Sequence, residues 1–365
     1  MYRIIRIILV LLLSFVYLTS CSKDKKESPK KYLSVESRSD NTTKSKDKPL
    51  IAKSDSLKET INSPSNPINL YQLPGWSKNV FFLNFKTLLT NPMFSNEISS
   101  NRQFAFMKGA LQKFGIQKPS DIGKVYLCTA DINPNQLKRK KYPDLALLVE
   151  VNYDETKLIQ GLQGYAMKDK DQLIKEKKED YTIIYPKKHA QQFKVALLKG
   201  KIIIATSSKI ESLVQQVLKG GEGSGLSKNN RLETAVNSLK DSNLLWGVIN
   251  INSNMKKLFN KTKRPKGKAL TYFKQLKEVI KQLELVQLSI HVDNKLKLTL
   301  SGVHKDEKSA KQLVELLKKL KKDSPVHYNE QISQKGKTAE ITVSLTKEQI
   351  VQGYTQFIGV GSGKR

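Results

Sequence analysis

The feature of this sequence that most constrains its fold is a set of strand and helix signals that occurs twice in the same order. Three pairs of segments match: Leu83–Leu89 with Ile249–Met255, Val151–Glu155 with Val303–Glu307, and Ser208–Glu211 with Thr346–Gln349. The first pair runs from a strand into a helix, the second ends a strand and opens a helix, and the third consists of capping boxes. The paired segments lie 166, 152 and 138 residues apart. The preserved order predicts a duplicated unit whose second copy is more compact.

The sequence around these matches indicates strands grouped into hairpins, with helices between them. Lys199-Gly200 lies between two apolar runs and is typical of a tight hairpin turn. Apolar side chains in residues 306–321 recur at the spacing of an amphipathic helix that packs on a core. The predicted strands are 80–85, 124–132, 145–151, 181–185, 193–198, 201–206, 244–251, 285–292, 295–303 and 338–345, and the predicted helices are 102–114, 154–167, 209–219, 269–281, 306–321 and 348–357. This pattern predicts an α+β fold, a duplicated unit of antiparallel-rich sheet with helices on one face.

The N-terminal segment has the layout of a secretory signal. Two arginines precede the apolar run Ile7–Leu18, which is shorter than the roughly 17–25 residues that a spanning helix needs. Leu18–Cys21 resembles the bacterial lipobox, in which the cysteine receives a diacylglycerol and, after cleavage, an amide-linked acyl chain such as palmitate. The alternative is an ordinary signal or a short anchor with an incidental cysteine. Ser22 favours sorting to the outer membrane in a Gram-negative cell, and the choice between the periplasmic and the surface face stays open.

These signals divide the chain into four parts. Residues 1–20 are the predicted signal peptide, and residues 21–68 hold the lipidated Cys21 and a disordered tether rich in Ser and Lys. Residues 69–243 form the first α+β repeat and residues 244–365 the second. With Cys21 acylated, Cys128 has no disulfide partner, so the fold must rest on its core. We expect Cys128 to be a buried strand residue.

Charge is the sequence feature that bears most on a partner. The chain has 64 Lys and Arg against 33 Asp and Glu, a net charge of +31. Two clusters are candidate surfaces for an anionic partner: Lys138, Arg139, Lys140 and Lys141, and Lys256, Lys257, Lys261, Lys263, Arg264, Lys266 and Lys268. They suit an anionic envelope polymer or an acidic protein, and export makes nucleic acid a poor candidate. The alternatives are solvated loops and a host whose proteins are generally rich in lysine.

Motifs for catalysis or metal binding are not recognisable. None of the four histidines, His189, His291, His304 and His327, has a His or Cys at metal-ligand spacing. Asp154-Glu155 and Asp306-Glu307 are carboxylate pairs, but both begin helices, where they cap free N–H groups. Gly220–Leu226 follows a helix and is typical of a C-cap and linker. We therefore predict no catalytic residues, no metal and no cofactor.

Three segments resemble a family of two-repeat bacterial outer-membrane lipoproteins whose domain has no assigned function. They are Trp76–Leu89, Asp121–Leu127 and Leu226–Leu232. The resemblance implies a duplicated sheet-and-helix domain at the outer membrane, without known catalytic residues. The sequence as a whole predicts a non-enzymatic binding or scaffolding module of the cell envelope. The alternatives are an envelope hydrolase with an unrecognised active site and an assembly factor or chaperone for exported proteins.

Overall fold

The computed structural model describes residues 68–99, 102–131, 143–168, 171–221, 224–239, 243–261, 268–322 and 329–349. The predicted signal peptide, Cys21 and the tether up to residue 67 lie outside the described residues, as do Lys138, Arg139, Lys140, Lys141, Lys263, Arg264 and Lys266. For Lys261 and Lys268 the structure describes the backbone alone. None of the helices in the described ranges is both long and apolar enough to cross a membrane.

The described strands form one antiparallel sheet of twelve strands. They are β1 (Asn79–Asn84), β2 (Ile122–Thr129), β3 (Leu145–Val151), β4 (Leu173–Lys177), β5 (Tyr181–Pro186), β6 (Phe193–Leu198), β7 (Lys201–Thr206), β8 (Leu245–Asn250), β9 (Leu283–Val292), β10 (Leu296–His304), β11 (Asn329–Lys335) and β12 (Thr338–Leu345). The order across the sheet is β11-β12-β10-β9-β8-β1-β2-β3-β7-β6-β5-β4. The sheet therefore continues across the predicted repeat boundary at residue 243, through the pairing of β1 with β8.

The helices connect these strands. They are α1 (Phe85–Thr90), α2 (Pro92–Ser99), α3 (Arg102–Lys113), α4 (Glu155–Lys168), α5 (Ile210–Lys219), α6 (Asn230–Asn237), α7 (Ser253–Lys261), α8 (Lys268–Gln282) and α9 (Glu307–Lys322). The mixed helix and antiparallel-sheet architecture confirms the predicted α+β class. Of the predicted helix 348–357, only residues up to 349 are described.

The helices pack on both faces of the sheet, so the prediction of helices on one face is wrong. The reason lies in strands such as β3, which is apolar on both sides. Ala146 and Leu148 belong to the core that is closed by α5 and α6. Val149 and Val151 point to the opposite face and pack with residues of α3 and α4. An apolar run of this kind needs cover on both sides.

Aromatic side chains hold the middle of the sheet, where β1 meets β2 and β8. The ring of Phe82 stacks on Trp246 with centroids 5.2 Å apart and lies 5.1 Å from Tyr126. All three side chains are buried. Cys128 is also fully buried in β2, as predicted, and burial raises the pKa of its thiol to about 12. The core therefore spans both predicted repeats.

The chain enters the described fold as a strap over residues 68–77, one residue before the predicted boundary. The N–H of Ile68 donates to Oε1 of Glu150 across 2.6 Å in a buried position, and the hydroxyl of Tyr126 donates to the carbonyl of Ile68. Lys201 lies directly opposite Glu150 in the sheet, and both side chains are buried. The strap is thus fixed at the end of the sheet where β3 ends and β7 begins.

Further sequence predictions have mixed outcomes. The hairpin at Lys199-Gly200 is confirmed, with Gly200 at φ +69° between β6 and β7. The capping box Thr346–Gln349 is confirmed by reciprocal bonds of 2.9 and 3.3 Å. The box at Ser208 is wrong, because Lys209 occupies the N-cap of α5 and makes no side-chain capping bond. The sequence did not predict β4 and β11. Both are edge strands rich in polar residues, so apolar and polar residues do not alternate along them as they do in a half-buried strand.

Candidate basic site at one end of the sheet

One end of the sheet gathers the termini of several central strands. Because neighbouring strands are antiparallel, β1 and β9 begin where β2, β8 and β10 end. The N-terminus of α6 and the first turn of α7 reach the same end, through contacts of Arg231 with Glu284 and of Asn252 with Asp131. We call this region the basic end.

A small pocket of about 100 Å³ lies at the basic end. Its lining consists of Lys78, Asn229, Arg231, Leu232, Asn250 and Leu285. These residues come from the start of β1, the start of α6, the end of β8 and the start of β9. Four of them carry polar side chains with N–H donors, and two are buried leucines.

Short polar contacts fix the walls of this pocket. Asn79 is almost fully buried; its Oδ1 accepts from the N–H of Asn250 across 3.1 Å, and its Nδ2 donates to Oγ1 of Thr129 across 2.9 Å. The side chain of Asn229 caps α6 by accepting from the N–H of Leu232. The ends of β1, β2 and β8 are therefore held together, and the first turn of α6 is fixed by its own cap.

Positive charge dominates the basic end. Nη2 of Arg231 donates to Oε2 of Glu284 across 2.9 Å, and both side chains remain partly exposed. Burial lowers the pKa of Lys256, and the neighbouring charges of Lys305 and Arg231 lower it further. The carboxylate of Glu284 acts in the opposite direction on Lys256. Glu284 thus stands among three cations that affect one another.

The three lysines of the basic end differ in the contacts that their side chains make. The side chains of Lys78 and Lys305 make no ion pair with any residue in the described ranges. Lys256 donates from Nζ to the carbonyl of Lys281 across 2.8 Å, at the C-terminus of α8. A cation at a helix C-terminus interacts favourably with the free carbonyls there. Lys256 is thereby held in place, whereas Lys78 is open to a ligand.

The two predicted basic clusters have different outcomes. Lys256 belongs to the basic end, and Lys257 is exposed on the same helix, α7. Lys138, Arg139, Lys140 and Lys141 lie outside the described residues, but the chain leaves for that segment at Asp131. Nδ2 of Asn252, just before α7, donates to Oδ1 of Asp131 across 3.1 Å. Of the residues in the two predicted clusters, only Lys256 and Lys257 have described side chains, and Lys256 lies at the basic end.

Sequence reasoning missed Lys78, Arg231 and Lys305 as members of the basic end. Each is a single basic residue next to a strand or helix terminus, without a run of charge to mark it. Only the pairing of β1 with β8, of β8 with β9 and of β9 with β10 brings them together. The sequence could have identified them only by their positions next to the predicted ends of strands and helices.

The other residues considered for chemistry have structural roles. Oδ1 of Asp154 accepts from the N–H of Lys157 across 3.0 Å, and Oδ1 of Asp306 accepts from the N–H of Ser309 across 2.7 Å. These backbone bonds hold the pKa of both carboxyls below the usual value, which confirms their capping role. Within the described ranges, no group of three or more His, Cys, Asp or Glu side chains is arranged to hold a metal.

Comparisons with known proteins give limited information. No protein-family model matches the chain, and no curated protein matches it. Two crystal forms of TP0453 are similar in structure, each at 14% sequence identity and each over 80% of this chain. Form III is covered completely, with a TM-score of 0.45, and form I over 98% of its length, with a TM-score of 0.42. At these TM-scores the likeness establishes neither fold nor function for this chain.

Proposed function

We propose that this protein is a membrane-anchored bacterial lipoprotein of the outer membrane, which acts as a non-enzymatic binding or scaffolding module of the cell envelope. Cys21 carries the lipid, and the basic end binds an anionic envelope polymer or an acidic protein. The observation that carries the proposal is the convergence of Arg231, Lys256 and Lys305 near Glu284, with Lys78 and Arg231 lining one pocket. Attraction between such a cluster and a polyanion is long-ranged and sensitive to salt.

The energetics at Lys256 support a role for this charge. Burial is the main cause of the lowered pKa of Lys256, and the neighbouring charges of Lys305 and Arg231 lower the pKa further, because placing cations together costs free energy. A bound anion reduces the repulsion among these cations. This reduction adds to the free energy of anion binding. Glu284 relieves the repulsion only in part, because it already accepts a hydrogen bond from Arg231.

The position of the strap also supports the proposal. Ile68 is fixed beside Glu150, at the opposite end of the strands from Lys78. β1 alone has six residues, and at about 3.3 Å per residue it separates the two ends by roughly 20 Å. The bonds that fix the strap at Ile68 therefore lie away from the basic end and do not occupy it.

We also propose that the fold arose by duplication. The strands β1, β2, β3, β7 and β6 are neighbours in that order, and β8, β9, β10, β12 and β11 follow the same order on the other side of the sheet. Phe81 pairs with Gly247, its counterpart at the predicted offset of 166 residues. Asp154 and Asp306, which are 152 residues apart, cap corresponding helices. The hairpin of β4 and β5 is then an addition to the first copy.

Binding of the full chain to lipopolysaccharide and to alginate, an acidic polysaccharide, tests the proposed function. The double variant Lys256→Ser, Lys305→Ser removes two cations from the basic end. The matched control, Lys318→Ser with Lys319→Ser, removes two exposed cations from the end of α9 that lies away from Lys305. We expect binding that weakens with added salt, and a loss of about tenfold or more in the first variant alone.

Two results would contradict the proposal. One is that neither polymer binds at low salt. The other is that both double variants lose the same amount of affinity, since that would show a general effect of net charge rather than a site. Circular dichroism of both variants verifies that the fold is intact.

A further inference from the structure

We propose that the pocket at the basic end binds one phosphate-type group, the end group of a phosphate monoester. This inference rests on the proposed function and gives the chemistry of the anion. The pocket lies between Lys78 and Arg231, and the amides of Asn229 and Asn250 line it as well. The rest of the ligand extends outside the pocket.

The size of the pocket limits what it can hold. Its volume is about 100 Å³, well below the roughly 300–1,000 Å³ of pockets that enclose a whole small-molecule ligand. A phosphate group is small enough to enter such a space, whereas a complete ligand of ordinary size could not be enclosed in it. The pocket is therefore suited to bind one group at the end or on the surface of a larger molecule.

The lining offers hydrogen-bond donors to an anion. Lys78 contributes an ammonium group, and the guanidinium of Arg231 has five N–H donors, of which one is directed to Glu284. Oδ1 of Asn229 is used for capping, which leaves its NH₂ group as a donor. Leu232 and Leu285 form an apolar part of the wall, and such a wall strengthens the electrostatic interactions beside it.

The local charge favours a dianion over a carboxylate. Lys78, Arg231, Lys256 and Lys305 outnumber the described carboxylates of the basic end, which are Glu284, Asp131 beside Asn252 and Asp306 next to Lys305. A phosphate monoester carries close to two negative charges at neutral pH, and a carboxylate carries one. A planar guanidinium also binds a phosphate through two parallel hydrogen bonds. We therefore expect phosphate to bind more tightly than acetate.

The test is a ³¹P NMR titration of the full chain with inorganic phosphate and with glycerol 3-phosphate, at low ionic strength and pH 7.5, with acetate as competitor. The variant is Lys78→Gln, which removes an exposed charge that has no ion pair among the described residues. The matched control is Lys297→Gln, an exposed lysine at the other end of β10. We expect saturable binding in the wild type and in the control, about tenfold weaker binding in Lys78→Gln, and little competition by acetate.

Vesicles distinguish the two sources of a phosphate monoester. Phosphatidic acid in a phosphatidylcholine vesicle presents the group on a lipid, and glycerol 3-phosphate presents it in solution. If soluble glycerol 3-phosphate displaces the protein from phosphatidic acid vesicles, the pocket binds the phosphate group both on the lipid and in solution. If it binds in solution and does not displace the protein from vesicles, the pocket takes soluble or polymer-borne phosphate, and vesicle binding occurs elsewhere.

The inference is overturned if Lys78→Gln and Lys297→Gln bind phosphate equally, or if acetate competes as well as phosphate does. Its failure is distinguishable from that of the proposed function. Loss of polymer binding in the Lys256→Ser, Lys305→Ser variant without saturable phosphate binding refutes only the phosphate pocket. Absence of any polymer binding at low salt refutes the proposed function.

Discussion

Arg231 donates a hydrogen bond to Glu284 across 2.9 Å and so joins the first turn of α6 to the second residue of β9. This pair links two elements that are about fifty residues apart and that both reach the basic end. Glu284 also affects Lys256, which makes this carboxylate the internal counter-ion of the group. An anionic ligand would compete with it for the same cations.

Replacing Glu284 by Gln should therefore tighten anion binding. The substitution removes the negative charge and keeps the shape of the side chain, so the potential at the pocket becomes more positive. We expect the affinity for lipopolysaccharide to rise by about three- to tenfold at low salt and the difference to shrink at high salt. The pair is partly exposed, so the free energy of unfolding should change by only about 0–1 kcal/mol. Unchanged affinity would show that Glu284 does not compete with the ligand.

Replacing Glu150 by Ala should destabilise the fold without affecting the basic end. The N–H of Ile68 then loses its buried acceptor, which costs about 1–3 kcal/mol, and Lys201 loses a neighbouring charge that favours its protonated form. Urea denaturation measures the loss. Glu150→Gln is the matched control, because the amide oxygen still accepts from Ile68 and the loss should be smaller. Equal losses in both variants would mean that the hydrogen bond to the strap contributes nothing.

His304 should make the stability depend on pH. It is fully buried, and neither ring nitrogen has a hydrogen-bond partner among the described residues. Burial lowers the pKa of His304 below its ordinary value of 6.5, although Asp306 and Glu284 act in the opposite direction. The unfolded chain therefore takes up a proton at a higher pH than the folded chain does. Above pH 6.5 His304 is neutral in both states and does not reduce the free energy of unfolding. As the pH falls below 6.5, the free energy of unfolding decreases by at most about 1.4 kcal/mol per pH unit because of this group.

The variant His304→Phe removes the titrating group and keeps a ring in the buried position. Its free energy of unfolding should fall less than that of the wild type between pH 7 and pH 5, as measured by urea denaturation. Parallel loss in both proteins over this interval would assign the acid sensitivity to other groups.

Gly225 should be intolerant of a side chain because of the strap. Its φ is +58°, and a Cβ atom would lie 2.2 Å from the carbonyl oxygen of Tyr71 and 2.5 Å from that of Leu73. Gly225→Ala is expected to lower the free energy of unfolding by more than about 1 kcal/mol. Gly221→Ala is the control, since no described atom outside its chain neighbours lies within 4 Å of its added Cβ. Equal thermal stability of the two variants would contradict the close packing of the strap on this loop.

Much of the fold could be predicted from residues whose local signals agree with their final environment. The apolar run of β3 and the Lys199-Gly200 turn need no distant partner to be recognised. Asp154 and Asp306 were also assigned correctly, because capping depends on residues three positions away. The predictions failed where the environment is set at a distance. β11 carries Asn, Gln and Ser because it is an edge strand, so its sequence has no strand periodicity.

The candidate site could be predicted only in part for the same reason. Lys256 stood in an obvious run of charge, whereas Lys78 and Arg231 are separated by more than 150 residues in the sequence. Their proximity follows from the pairing of β1 with β8 and the packing of α6 beside β8. Sequence patterns give the elements and their periodicity, but they do not give the order of strands across a sheet of this size.

The most direct test of the central claim is the salt dependence of lipopolysaccharide binding, measured for the wild type and for the triple variant Lys78→Ser, Lys256→Ser, Lys305→Ser. The slope of log Kd against log salt concentration counts the ion pairs formed on binding. If the basic end is the binding surface, the triple variant should show weaker binding and a clearly shallower slope than a control that lacks Lys318, Lys319 and Lys322, three exposed lysines near the other end of α9. Equal slopes in the two triple variants would contradict the account.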